Sequence, residues 1–374
     1  MSGCRRKTAF LVIHGLGQQK PFEALDHFAR GLIQELGQHQ TLQLHHKLAM
    51  RHATHGGPWH ESFLRIQPKQ QESYCDIHEY YWAHHTEEQI KSAEIWAWLS
   101  LALKGTQHFY EENKQLAYRY KEGKYFPIKA LRLLKRTHLL VKIFGFLPQW
   151  PILKPYFDWL DKLTSRTLIK YVGEIAIYTT TDQKSRHFQV RQRILTGALE
   201  LLESLLLDQQ YDQVVVCGHS LGSVIAYDLL NRLNIKTNLL EHYPIPVEKL
   251  AGLVSFGSPL DKIAFFFREH IQPQQYVRRQ IIDQLFSFKA RAIRLDQNLH
   301  HIDCSLQAKL DHIPWINFYS DADPMSDHLD FCEVAAQDNI HLDLGHSAAQ
   351  AHVGYWQHST LYQTLVQRFL APAA

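Results

Sequence analysis

The chain lacks the charge imbalance and the long apolar runs that mark several classes of protein. Its 40 Lys and Arg residues face 37 Asp and Glu, a net charge of +3, so charge gives no argument for nucleic-acid binding. No uncharged apolar stretch reaches the roughly 18 residues expected of a membrane-spanning helix. The best candidate, residues 139–153, is interrupted by Lys142, Gln149 and two prolines.

Cysteine is also scarce. The five cysteines are scattered and form no C-x-x-C pair, which argues against a secreted disulfide scaffold. The apolar run that follows Arg5, Arg6 and Lys7 is too short for a secretory signal peptide. We therefore expect a cytoplasmic protein.

Short apolar runs alternate with helical patterns over most of the chain. Strands are predicted at residues 10–13, 74–82, 214–217, 250–256, 315–319 and 340–344. Helical spacing of apolar residues begins at Pro21, and helices are also predicted at residues 190–207 and 221–233. This alternation predicts an α/β fold with a mostly parallel sheet and helices on both faces.

Residues 86–170 do not follow this alternation and instead contain long helical stretches rich in Trp, Tyr, Leu and Lys. We interpret them as a helical cap inserted into an α/β core made of residues 1–85 and 171–374. Between Arg119 and Lys154, nine Lys and Arg face a single acidic residue, Glu122. This segment is typical of a cap helix with a solvated basic face, or of a helix that docks on an anionic membrane.

The sharpest motif is Gly218-His219-Ser220-Leu221-Gly222, which lies directly between a predicted strand and a predicted helix. It matches the G-x-S-x-G nucleophile elbow, in which a strained turn exposes a serine hydroxyl above the sheet. The alternative interpretation is a glycine-flanked turn with an inert serine. The strand–turn–helix context favours the elbow.

A second loop, His14-Gly15-Leu16-Gly17, follows the first predicted strand. Acyl transfer needs two backbone N–H groups aimed at the developing oxyanion, one after the nucleophile and one from an early loop. The amides of Leu221 and Leu16 are the candidates. Gly15 and Gly17 would let the backbone approach closely.

Together these motifs resemble the α/β-hydrolase superfamily of serine esterases and lipases. The segments FLVIHGLGQQKP, EYYWAH, VVVCGHSLGSVIAYDLLNRL, VSFGSPLDK, WINFYSDADP and AHVGYW are similar to a largely uncharacterised, mostly bacterial group within it. The resemblance covers about residues 8–82 and 170–370 and is most specific at the elbow. Because so few residues precede the first strand, we expect the sheet to lack the edge strands that usually come before the oxyanion loop.

The resemblance implies a triad in the chain order Ser, acid, His. Asp323, in the segment after the 315–319 strand, is the favoured acid, with Asp321, Asp327 and Asp261 as alternatives. His352, before the last helical pattern, is the favoured base. His346, His341 and His358 remain alternatives, and His219 is expected to pack in or polarise the site.

The 25 histidines raise a metal hypothesis, mainly at His78-Glu79 and His84-His85. Neither H-E-x-x-H nor C-x-x-C spacing occurs in the sequence, and adjacent histidines point in different directions. We predict no metal and no cofactor, since serine acyl transfer needs neither.

The sequence therefore predicts a serine hydrolase that cleaves carboxylic esters of lipid-like or apolar acyl groups. A thioesterase or amidase would use the same site. The alternative of another class is an inactive module that binds a membrane surface or a protein. The predicted partners are the acyl ester and, through residues 119–154, an anionic membrane that would make the protein membrane-peripheral; no nucleic acid is expected, and the oligomeric state stays open.

Overall fold

In the part of the chain that the structure describes, the strands form one eight-stranded sheet. The computed structural model describes residues 6–15, 19–52, 57–69, 71–86, 178, 186–240, 244–261, 275–290, 300–323, 325–326, 328–329, 332, 334–345 and 348–371. The strands are β1 (Lys7–Ile13), β2 (Leu42–His52), β3 (Pro58–Pro68), β4 (Tyr74–Tyr80), β5 (Gln213–His219), β6 (Leu250–Phe256), β7 (Trp315–Tyr319) and β8 (Asn339–His341). Their order in the sheet is β2-β3-β4-β1-β5-β6-β7-β8.

The strands from β4 to β8 along this order are all parallel, and only the β2–β3 and β3–β4 pairs are antiparallel. The predicted α/β class with a mostly parallel sheet is confirmed at this level. The helices are α1 (Glu23–Gly37), α2 (Arg186–Leu207), α3 (Leu221–Leu239), α4 (Tyr276–Leu285), α5 (Ala348–Gly354) and α6 (Ser359–Leu365).

The two central strands explain why the sheet is covered on both sides. All seven residues of β5 are buried, as are six of the seven residues of β1, so side chains on both faces need apolar neighbours. Val215 and Cys217 join the cluster that contains Phe28 of α1 and Tyr362 of α6. Val214 and Val216 alternate with them and point to the opposite face, where α3 packs with most of its residues buried.

Two predicted strands match the structure without change, residues 250–256 as β6 and 315–319 as β7. The expectation that the sheet would lack its edge strands is wrong, because strands that come after the β1–α1 loop form this edge. The hairpin of β2 and β3, which the sequence analysis does not predict, follows α1 and extends the sheet beyond β4. The sequence of β2 does carry a strand pattern that the sequence analysis overlooks, because Leu42, Leu44, Leu48 and Met50 all lie at even positions. Much of the strand is nevertheless solvent-exposed.

The chain divides into two compact units. One comprises residues 1–82, 193–261 and 272–374, and the other comprises residues 83–192 and 262–271. Of the predicted cap, residues 87–170 lie outside the described residues, and so does the basic segment 119–154. The cap, its boundaries and its membrane docking stay predictions.

Among the helices within the described residues, none has the length and apolar character needed to cross a membrane. The four cysteines in the described part of the chain, Cys75, Cys217, Cys304 and Cys332, are free thiols. Burial raises the pKa of Cys75 and Cys217 well above the ordinary value, which makes these two thiols unreactive packing residues.

Candidate active site

Ser220 occupies the turn between β5 and α3, as the elbow motif predicts. Its backbone lies at φ 52° and ψ −126°, in the positive-φ region that non-glycine residues rarely adopt. The turn is tied to the neighbouring strand because Ser220 N–H donates to the carbonyl of Phe256 over 3.0 Å. This strained turn places the serine at the carboxyl end of the parallel strands.

The glycines around Ser220 allow very close backbone packing. A Cβ on Gly222 would lie 2.2 Å from the carbonyl oxygen of Ile13, and one on Gly218 would lie 2.5 Å from the Cα of Ser223. A Cβ on Gly15 would lie 2.7 Å from the Cβ of Ser220. The elbow therefore packs directly against the end of β1 and the loop that follows it.

Three side chains distant in sequence meet at this turn. His352 Nε2 lies 3.0 Å from Ser220 Oγ, and His352 Nδ1 lies 3.0 and 3.1 Å from the two carboxylate oxygens of Asp323. Ser220 and Asp323 are buried, and His352 is largely so. The arrangement has the connectivity of a nucleophile, a base and an orienting acid.

Asp323 follows β7 and is held as an ionised carboxylate. Burial alone would raise its pKa, but hydrogen bonding and charge interaction with His352 outweigh burial and lower the pKa below the ordinary value. The backbone N–H of Met325 donates to Asp323 Oδ1 over 2.9 Å. The carboxylate is therefore fixed from two sides.

His219, the residue before Ser220, forms a hydrogen bond with the backbone of His352. Its Nε2 lies 2.9 Å from the carbonyl oxygen of His352, and since a carbonyl only accepts, Nε2 must carry the proton. Burial, followed by the nearby His352, lowers the pKa of His219 to about 3. His219 is thus a neutral hydrogen-bond donor, which agrees with the expectation that it packs in the site.

Two serines secure the elbow from the other side. Ser223 Oγ lies 2.5 Å from the carbonyl oxygen of Ser220 and 2.8 Å from Ser258 Oγ. Ser223 therefore donates to the carbonyl of Ser220 while accepting from Ser258. Ser258 follows β6, so the two side chains connect the ends of β5 and β6.

The alternative acids and bases are placed elsewhere or lie outside the described residues. Asp321 is exposed and lies 3.6 Å from His341, forming a separate surface pair. His358 accepts from the N–H of Thr360 at the start of α6. The carboxylate that contacts the His352 ring belongs to Asp323 and not to the buried Asp261. Asp327 and His346 lie outside the described residues.

The predicted oxyanion donors are described only in part. Leu221 is the first residue of α3 and is fully buried, so its amide lies at the positive end of that helix. Leu16 and Gly17 lie outside the described residues. His14 and Gly15, just before them, are described and buried.

The histidines that suggested a metal have other contacts. His78 lies 2.6 Å from Glu61 and 3.0 Å from the hydroxyl of Tyr211, while Glu79 accepts from backbone amides at the start of α1. Within the part of the chain that the structure describes, no group of three or more His, Cys, Asp or Glu is arranged to hold a metal ion.

No protein-family model matches the chain, and no curated protein matches it either. The fold shown is that of an α/β protein with a mostly parallel eight-stranded sheet and flanking helices.

Chemically, the site can activate a serine hydroxyl. Sequence reasoning located Ser220, Asp323 and His352, and the structure brings these three together. It missed the supporting contacts of Ser223, Ser258 and His219. These pairs are far apart in the chain, and nothing in the sequence links their positions.

Proposed function

We propose that the protein is a serine hydrolase of the α/β-hydrolase type that cleaves carboxylic esters with apolar acyl groups. Ser220 is the nucleophile, His352 the general base and acid, and Asp323 the residue that orients His352. The observation that carries the proposal is the continuous Ser220–His352–Asp323 contact at 3.0 Å per step. The family assignment rests on the motifs at the strand ends.

The geometry supports a two-step acyl transfer. His352 Nε2 takes the hydroxyl proton while Ser220 Oγ attacks the carbonyl carbon, and the carbonyl π bond opens to give an oxyanion. The imidazolium then returns the proton to the leaving alcohol as its bond to carbon breaks. Water, deprotonated by His352, releases the acid from Ser220 in the second step.

The oxyanion would be stabilised by backbone amides. Leu221, at the N-terminus of α3, is well placed by position to supply one of them. Leu16 is the second donor that the sequence motif implies. Both donors would be backbone N–H groups, so the side chain at either position takes no part in the chemistry.

The substrate class follows from the resemblance and from composition. Esterases and lipases of this superfamily act on acyl esters, and residues 119–154 interleave aromatic and leucine side chains with cations. Such a segment suits an apolar acyl chain or an anionic lipid surface. The same triad would serve a thioester or an amide, since leaving-group preference depends on the shape of the pocket.

Labelling with a fluorophosphonate tests the proposal most directly, because the reagent reacts only with an activated serine. We expect stoichiometric labelling of the wild type and none of Ser220→Ala. Ser204→Ala is the matched control, because Ser204 bonds only within α2, and it should label normally. A set of p-nitrophenyl esters, thioesters and anilides of matched chain length then identifies the preferred bond.

An absence of Ser220-dependent adduct would contradict the catalytic proposal and favour an inactive binding module on the same scaffold. Labelling without turnover of any ester would contradict the ester assignment alone. Highest kcat/KM on the thioester or anilide would replace the ester by that bond and keep the mechanism.

A further inference from the structure

The segment that ends β4 contacts both ends of the loop between β1 and α1. This segment is Glu79-Tyr80-Tyr81-Trp82, part of the EYYWAH motif that the proposed catalytic roles leave unexplained. Because β4 pairs with β1 in parallel and Ile13 lies opposite Tyr80, the two strands deliver their following residues to the same place. Three of the four side chains reach the loop.

Trp82 holds the first end of the loop at His14. Its indole Nε1–H donates to the carbonyl of His14 over 2.9 Å, and its backbone N–H donates to His14 Nε2 over 3.1 Å. The two rings are stacked, with centroids 5.0 Å apart and planes 7° from parallel. His14 Nδ1, 2.8 Å from the carbonyl of Gly15, is thereby left as the protonated nitrogen.

Tyr81 and Glu79 hold the second end. The hydroxyl of Tyr81 donates to the carbonyl of Gln19 over 3.1 Å. The Glu79 carboxylate accepts from the backbone N–H groups of Phe22 and Ala24, the latter over 3.0 Å. Glu79 therefore supplies from a distant strand the N-terminal cap that Phe22, at φ 69°, does not provide with its own side chain.

The anchored end of the loop touches the nucleophile. Gly15 follows His14, and it packs so closely on the elbow that a Cβ there would lie 2.7 Å from Ser220 Cβ and 3.0 Å from His219 Nδ1. Any shift of His14 would move Gly15 relative to Ser220. The position of His14 and Gly15 is therefore coupled to the geometry at Ser220.

We propose that Glu79, Tyr81 and Trp82 form a clamp of positioning residues that fixes the two described ends of the β1–α1 connection, and so holds Gly15 against Ser220 as acyl transfer requires. This inference rests on the proposed function. The clamp touches neither the substrate nor the three triad side chains. It acts through His14, Gly15, Gln19 and Phe22.

Tyr80 provides a matched control within the same segment. Its hydroxyl donates to the carbonyl of Ile194 in α2 over 2.7 Å, so it contributes the same kind of buried hydrogen bond but none to the loop. Tyr80→Phe and Tyr81→Phe each remove one hydroxyl. A general loss of stability would affect both variants, whereas loss of loop position would affect only Tyr81→Phe.

The test compares Tyr81→Phe, Trp82→Phe and Tyr80→Phe with the wild type on p-nitrophenyl butyrate. We expect Tyr81→Phe and Trp82→Phe to lower kcat by about tenfold with KM changed less than about twofold. The pH dependence of kcat/KM should stay unchanged, because the Ser220, His352 and Asp323 contacts remain. Tyr80→Phe should retain wild-type kcat.

Amide hydrogen exchange of peptides covering residues 10–24 gives a readout that does not depend on activity. We expect faster exchange in Tyr81→Phe and Trp82→Phe than in Tyr80→Phe. If Tyr81→Phe and Trp82→Phe show the same exchange rates and kcat as Tyr80→Phe, the clamp proposal is contradicted, whether or not the wild type is active. Lack of Ser220-dependent turnover with the expected exchange would contradict the proposed function and would reduce the clamp to an anchor of the loop.

Discussion

His219 is a buried, neutral histidine at the centre of an aromatic cluster. It is surrounded by the rings of Phe256, His352, Tyr355 and Trp356, with centroids 5.0 to 6.1 Å away. A positive charge on His219 would disfavour protonation of the neighbouring His352, which the proposed mechanism requires. The lowered pKa of about 3 keeps His219 neutral under working conditions.

This lowered pKa makes stability depend on pH. The unfolded chain takes up a proton at His219 near the ordinary value of 6.5, while the folded protein does not until about pH 3. Between these values the unfolded state binds the extra proton, so stability falls as the pH is lowered. The full effect of one such proton is about 1.4 kcal/mol per pH unit.

We predict that His219→Gln removes this pH dependence of the free energy of unfolding. The side-chain amide of the glutamine can still donate a hydrogen bond to the His352 carbonyl. Urea unfolding at pH 7, 6 and 5 measures it. The wild type should be the more stable protein at pH 7. The difference in free energy of unfolding between the two proteins should decrease by about 1 kcal/mol from pH 6 to pH 5. A gap independent of pH would contradict the assignment of a neutral, buried His219.

At the scale of elements, a buried polar network attaches the β2–β3 hairpin to the rest of the sheet. Glu61 of β3 contacts Arg51 of β2 at 2.5 Å and His78 of β4 at 2.6 Å. Arg51 also contacts Asp208, after α2, at 2.7 Å. Polar side-chain contacts thus connect the hairpin to β4 and to the residue that follows α2.

Further contacts extend this network across β3 and β4. Arg65 makes two 2.8 Å contacts with Asp76, which also accepts from the hydroxyl of Tyr211 over 2.7 Å. His78 lies between Tyr211 and Glu61, with Nε2 3.0 Å from the Tyr211 hydroxyl and Nδ1 2.6 Å from the Glu61 carboxylate. The buried side chains of the network are therefore matched with polar partners on neighbouring strands.

We predict that Glu61→Gln lowers the free energy of unfolding by about 3 kcal/mol, because it removes the carboxylate that pairs with the buried Arg51 guanidinium. Urea unfolding at pH 7 measures the loss. Asp26→Asn is the control: Asp26 pairs with Arg30 in α1 with both side chains mostly exposed, so its loss should cost under about 1 kcal/mol. Equal losses in the two variants would show that the network does not hold the hairpin.

At the scale of the whole molecule, the parallel sheet brings Ser220, Asp323 and His352 together. Ser220, Asp323 and His352 follow β5, β7 and β8, and these strands lie in the order β5-β6-β7-β8. Parallel strands end at the same edge, so residues 132 and 29 positions apart in the chain come within 3.0 Å. Fold and candidate chemistry are linked through this edge.

We predict that Asp323→Asn reduces kcat on p-nitrophenyl butyrate by about 10³-fold or more, because an amide does not hold His352 in the tautomer that accepts the serine proton. Asp321→Asn is the control, two residues away and in contact with His341 instead, and it should leave kcat unchanged. A larger loss of kcat in Asp321→Asn than in Asp323→Asn would identify Asp321 as the acid instead.

The motifs were predictable because local rules govern them. A buried strand, a glycine-flanked serine and a following helix must be adjacent in sequence, so Gly218 to Gly222 mark the elbow without a structure. Strands β6 and β7 were predicted for a similar reason, since burial on both faces requires continuous apolar runs. Asp323 and His352 were favoured because the family resemblance implies an acid and a base after later strands, and both residues follow predicted strands.

The tertiary structure alone decided how these pieces are supported. The alternating apolar residues of β2 do not tell which strand it pairs with, and the polar contacts that accompany its pairing with β3 come from β2, β3, β4 and the α2–β5 turn. Likewise, the contacts of Trp82 with His14 and of His219 with the His352 carbonyl join residues 68 and 133 positions apart. The sequence by itself determines the strand–turn–helix geometry around Ser220, because this geometry depends on neighbouring residues. The positions of the supporting side chains depend on contacts between residues far apart in the chain, which only the tertiary structure decides.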